Sequence, residues 1–122
     1  MGFLDIFKSK KRREYEYFQT ILDTSIRIFE MVKRKKEYSD KDILDFDFDL
    51  NMMEKTRVLV LYKQGALNFF DEENRNTIVR VFASDDLDEN YKKDIRDTYH
   101  FLSGFTYSMK KIVEERRKDL DK

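Results

Sequence analysis

The chain has 122 residues, with 25 Lys and Arg balanced by 25 Asp and Glu, and no cysteine, proline or tryptophan. That length fits one domain. The missing thiols exclude disulfides and thiolate metal sites, and a net charge of zero disfavours a dedicated nucleic-acid binder, which is usually basic overall. Hydrophobic residues make up 40% and charged residues 41%, enough apolar surface to offset chain entropy beneath a heavily charged exterior.

The charge is not evenly spread. Residues 1–36 hold ten Lys/Arg and five Asp/Glu, a local net of 10 − 5 = +5, whereas residues 37–49 hold one Lys and six acids, 1 − 6 = −5. Such polarity steers partners without dictating fold. No apolar run is long enough to span a bilayer. The opening MGFLDIFKSKKRR places its charges after its apolar residues, the wrong order for a secretory signal. Ile6 stands where a myristoylation pattern needs Ser or Thr. A cytoplasmic chain is expected.

Taken in chain order, the first feature is an apolar wedge, Phe3, Leu4, Ile6 and Phe7, followed by Lys8, Lys10, Lys11, Arg12 and Arg13. This combination suits a peripheral anchor on an anionic membrane surface, where buried apolar groups and nearby cations both contribute. The opening resembles the N-terminus of the bacterial division-site MinE family, which implies a short membrane-targeting segment. The remaining residues do not follow that family. The other reading of these four side chains is that they fold back onto the domain.

Residues 10–36 predict a long amphipathic helix. Tyr15, Phe18, Leu22, Ile26 (or Ser25), Phe29 and Val32 step by three and four along one face. The Lys33–Lys36 run suits the negative end of that helix's dipole, and Ser39-Asp40-Lys41-Asp42 reads as the start of a second helix.

The middle supports two readings. Residues 44–50 alternate apolar and acidic, a strand signal, and 57–62 and 77–82 are strand-like partners, so the alternative fold is α+β with a small antiparallel sheet. Against this, Asp49 or Asn51 begins a stretch of good helix formers from Met52 to Phe70, with no turn residue separating the first two runs. The scarcity of glycine and the absence of proline also favour helices. As a helix, 58–62 is apolar on all sides, the pattern of a surrounded central element.

The last helix is the clearest. Ser84, Asp85, Asp86, Asp88 and Glu89 make an acidic start, and Leu87, Tyr91, Ile95, Tyr99, Leu102, Phe105 (or Thr106), Met109 and Val113 hold helical spacing. Gly104 inside it costs up to ~1 kcal/mol relative to Ala, which close approach of another helix, or of a second copy, would explain; a tolerated surface glycine is the other reading.

Three residue groups carry chemistry. Arg96, the lone His100, Ser103 and Tyr107 share one helical face, away from the apolar stripe. Such a set can bind phosphate, or cleave RNA with His as general acid or base; the other reading is a solvated helix face. In its length and helicity the chain resembles small helical ribonuclease domains of the HEPN family, which implies RNA cleavage by an Arg and a His separated by four to six residues. Here Arg96 and His100 have three between them. Asp45, Asp47 and Asp49 have the opening spacing of a calcium loop, but Leu50 and Thr56 replace its glycine and glutamate. They read as a solvated acidic segment or a patch for a basic partner. The third group is the basic N-terminus.

The sequence therefore predicts an all-α bundle of four to five helices, with long first and last members, and no cofactor or metal. Its expected role is a non-catalytic interaction module, a small bacterial or phage accessory, adaptor or inhibitor protein that binds another protein or pairs as a homodimer. A peripheral membrane protein held by residues 3–13, and a small HEPN-like nucleic-acid-acting enzyme, are the alternatives.

Overall fold

The helices begin and end where capping chemistry provides for it. The computed structural model describes residues 10–43, 48–84 and 88–120, and among these it contains four helices and no strand. They are α1 (Lys10–Asp40), α2 (Phe48–Lys63), α3 (Glu72–Ala83) and α4 (Glu89–Leu120). At 1.5 Å per residue, α1 and α4 are each about 46–48 Å long. The runs 57–62 and 77–82 lie inside α2 and α3, so the alternative sheet does not form; residues 44–47 lie outside the described residues.

Two helices stop in the same way. Gly65 sits at φ +74°, with Gly65 N–H donating to Tyr62 O at 3.1 Å and Ala66 N–H to Leu61 O at 2.9 Å. Asp42, at φ 56°, repeats this pattern after α1, with Asp42 N–H on Ser39 O and Ile43 N–H on Tyr38 O. Both are Schellman endings, which satisfy carbonyls left over by the last turn. The stretch read as a second helix start is therefore the end of the first: Ser39 is buried by packing and Asp40 pairs with Lys36 one turn back in the same helix. The Lys33–Lys36 run lies a turn before that end, and the last turn of α1 holds no cation. Asp71 caps α3 through Asn74 N–H at 2.8 Å, and Asp88 caps α4 through Tyr91 N–H at 2.8 Å.

Side-chain pairings set the topology. Glu14 meets Arg116 at 3.5 Å, Lys36 lies over the Tyr99 ring at 5.3 Å and Asp42 pairs with Lys92, so α1 and α4 run antiparallel. Near its start α2 meets Arg34 and Lys35, while the turn after it lies beside Thr20, Ile21 and Thr24, so α2 is antiparallel to α1. Arg80 pairs with Asp94 at 3.0 Å and the Tyr91 hydroxyl donates to Val81 O at 3.0 Å, which makes α3 antiparallel to α4. The result is an up-down-up-down bundle whose long helices extend past the α2–α3 turn as a two-helix arm.

All four helices and the α2–α3 turn build the main core. Ile28, Met31 and Val32 of α1, Val58 of α2, Leu67 and Phe70 of the turn, Ile78, Val81 and Phe82 of α3, and Tyr91, Ile95 and Leu102 of α4 pack together. Each such burial contributes roughly 1.5–3 kcal/mol. A second cluster, Ile21, Leu22, Met109 and Val113, joins α1 to α4 near the arm, with Phe69 of the turn packed against it. The buried face of α1 keeps Leu22, Ser25 and Val32 of the predicted stripe and adds Ile21, Ile28 and Met31, while Tyr15, Phe18, Ile26 and Phe29 are half-buried. The reason is that α1 contacts both α2 and α4, so its buried sector spans two seams.

Candidate functional site

The site is built from α2, whose placement depends on one buried charge. Glu54 is 3% exposed and accepts from Arg34 Nη2 at 2.6 Å and from Nε at 2.7 Å. One residue on, Lys35 is itself buried, donates to Asn51 Oδ1 at 2.7 Å and lies over the Phe82 ring at 5.3 Å. Two neighbouring cations of α1 therefore clamp the first half of α2. They also explain the basic run better than a dipole does: partly exposed Arg34 and buried Lys35 both hold side chains of α2.

With Glu54 and Val58 turned inward, helical geometry decides what faces out. Met52, Met53 and Val60 are 42%, 50% and 45% exposed. With Thr56, Arg57 and Leu61 they form one open face of α2, and all six described lining residues belong to that helix. The expectation of a surrounded central helix fails here. α2 is covered on one side only, because the bundle has four helices and α2 lies beside α1 and α3 rather than among them. The charge around this face is one-sided. Between Asn51 and Gln64 the sole carboxylate is the buried Glu54, whereas Arg57 lines the face, Lys63 stands at its C-terminal end and half-buried Lys55 lies roughly 140–160° round the helix from Val60 and Met53. None of the three has an ion-pair partner among the described residues. Asp49, exposed in the first turn, is the acid at the other end.

The other predicted groups fall elsewhere. Arg96, His100, Ser103 and Tyr107 form an exposed row along α4, with Tyr107 62% exposed. The His100 imidazole has no hydrogen-bond partner among the described residues; its ring stands edge-on to Tyr99 at 5.5 Å. Tyr107 instead carries the Lys111 ammonium over its ring at 4.5 Å. Arg96 lines a polar cleft with Lys36, Ser39, Asp40, Glu89 and Lys92, in which cations and acids alternate. The Asp42 carboxylate beside Lys92 raises that ammonium above its ordinary pKa. Asp45 and Asp47 lie outside the described residues, and among the described residues no group of three or more His, Asp or Glu converges as metal ligands would.

Of the N-terminal residues, Phe3, Leu4, Ile6, Phe7 and Lys8 also lie outside the described residues. Lys10, Lys11, Arg12 and Arg13 are exposed on the first turn of α1, which holds no acid. Antiparallel pairing brings Arg116, Arg117 and Lys118 to the same end. No described helix is long and apolar enough to cross a membrane. Gly104 marks no close approach: an added Cβ meets nothing within 4 Å.

The open α2 face was not legible in the sequence, because an evenly apolar helix does not announce which side its neighbours cover. Its one advance signal was the cation-only charge of residues 55–63. Compared with known proteins, the chain matches no family model, no curated protein and no solved structure.

Proposed function

We propose that this chain is a non-catalytic interaction module that docks another protein on the outer face of α2. The observation that carries this reading is the set Met52, Met53 and Val60, each 42–50% exposed on a helix whose opposite side is pinned by a buried ion pair. A soluble surface tolerates scattered apolar residues, but contiguous ones at helical spacing mark a contact. Methionine suits such a contact because its flexible, polarizable chain adapts to partners. The row at His100 supports catalysis less well, since no described residue orients the imidazole.

The test is affinity purification from the native host with three full-length chains: wild type, Met53→Glu/Val60→Glu, and His100→Ala/Tyr107→Ala. A stoichiometric partner lost only with the α2 pair supports the reading. Equal retention by all three, or an RNA-cleaving activity abolished by His100→Ala, overturns it.

A second reading, a peripheral membrane protein, draws on one observation. The antiparallel long helices join Lys10–Arg13 with Arg116–Lys118 at one end, adjacent in sequence to Phe3, Leu4, Ile6 and Phe7. That end also carries Glu14, Glu16, Glu114, Glu115 and Asp119, so residues 10–16 and 114–120 net only 7 − 5 = +2. This modest charge ranks the membrane reading second. Sedimentation with anionic but not neutral vesicles, weakened by salt, supports it.

A further inference from the structure

We infer that the partner element seated on α2 is an acidic amphipathic helix. This rests on the docking reading above and adds the chemistry of the occupant. From Met52 to Val60 the apolar face runs along nine residues of one helix, about 12 Å or two helical turns. A partner helix packs apolar residues at i, i+3 or i+4 and i+7 against such a face.

Charge selects the partner's flanks. Arg57 lines the face and Lys63 stands at its C-terminal end, whereas Lys55 lies roughly 140–160° round the helix. The carboxylate nearest them in sequence, Glu54, points the other way and is held by Arg34, and Asp49 is at the opposite end. A helix with Asp or Glu beside its apolar stripe meets these two cations on the C-terminal half of the face. A basic or neutral helix gains the apolar contact alone.

A second copy of this chain fits less well. Antiparallel pairing centred on Thr56 would match Asp49 with Lys63 of the other copy, but it sets the two Arg57 side chains together near the dyad. Two turns of one helix also fall short of the ~800 Å² per partner that a stable dimer buries. A small contact with cations beside it is the geometry of a transient complex.

The test is a displayed library of helical peptides selected on the full chain. Stripe positions vary among Leu, Ile, Phe and Met, and flanks vary among Glu, Gln and Lys. Glu-flanked peptides should dominate. Their binding should weaken by up to about fivefold for each of Arg57 and Lys63 changed to Gln and stay unchanged for Lys55→Gln, and Arg57→Glu/Lys63→Glu should turn selection toward Lys flanks. Met53→Glu/Val60→Glu should abolish binding while thermal melting stays unchanged.

Other results are equally decisive. Peptides selected without flank preference, yet lost with Met53→Glu/Val60→Glu, overturn the acidic partner and leave the docking face. Selection unaffected by that pair overturns both. A wild-type dimer that Val60→Glu converts to monomer assigns the face to a second copy. Peptide binding that tightens more than tenfold in Phe3→Ser/Phe7→Ser assigns it to the chain's own N-terminal segment.

Discussion

Helices α2 and α4 lie in the same bundle and differ both in apolar content and in what covers it. Nine of the sixteen residues of α2 are apolar against eleven of thirty-two in α4, yet it is α4 whose stripe is covered. On α4, Tyr91, Ile95, Leu102, Met109 and Val113 form a single stripe that α1 and α3 cover. On α2, Val58 is fully buried while Val60, two residues on, is 45% exposed. Apolar content measures how much surface a helix offers for burial. Neighbours decide how much is taken.

The contrast makes its largest prediction at the core. Leu102→Ala in α4, a fully buried site, should cost about 2–5 kcal/mol, since it removes apolar contact and leaves a cavity. Val60→Thr in α2 should stay within about 0.5 kcal/mol. Denaturant unfolding of both variants checks the pair, and a comparable loss at Val60 would mean that its face is covered after all.

The ion pair that orients α2 comes next. Arg34→Ala leaves Glu54 nearly fully buried without its cation and should cost roughly 1.5–3 kcal/mol. The Arg34 side chain is 41% exposed, so water softens the loss below that of a fully interior pair. A result near zero in denaturant unfolding would show that Glu54 is not the element that turns α2.

The glycines at the ends of this comparison should respond with opposite signs. Gly65→Ala strains the positive φ that closes α2 and brings its Cβ to 3.0 Å from Asn68 Nδ2, a loss of about 1–2 kcal/mol. Gly104→Ala, on the open side of α4, should gain up to ~1 kcal/mol from helix propensity. Thermal melts of the two variants give the signs directly.

The smallest effect concerns pH. Asp42 raises the folded-state pKa of Lys92 above its ordinary 10.5, so the pair's contribution is fully present below that value. It is lost as pH rises through the elevated one. Lys92→Met should flatten the fall in melting temperature above pH ~10.5; an unchanged slope would show that the pair contributes nothing.

The sequence by itself determined that the chain is helical, and why. Three- and four-residue spacing over residues 10–36 and 87–118, the absence of proline and the capping aspartates are local features, and each acts within a few residues of backbone. It also exposed Arg96, His100, Ser103 and Tyr107 as one face, since a helical wheel needs no neighbour. The tertiary structure decided the rest. Ser39 and Asp40 extend α1 instead of opening a new helix because Ser39 is buried by packing. Lys35 goes inside because Asn51 and Phe82 receive it. The α2 face became a candidate site only when Arg34 drew Glu54 inward, a contact across 20 residues of sequence. Periodicity shows that a helix has faces. For a helix apolar all round, which face stays bare depends on long-range partners that local spacing does not encode.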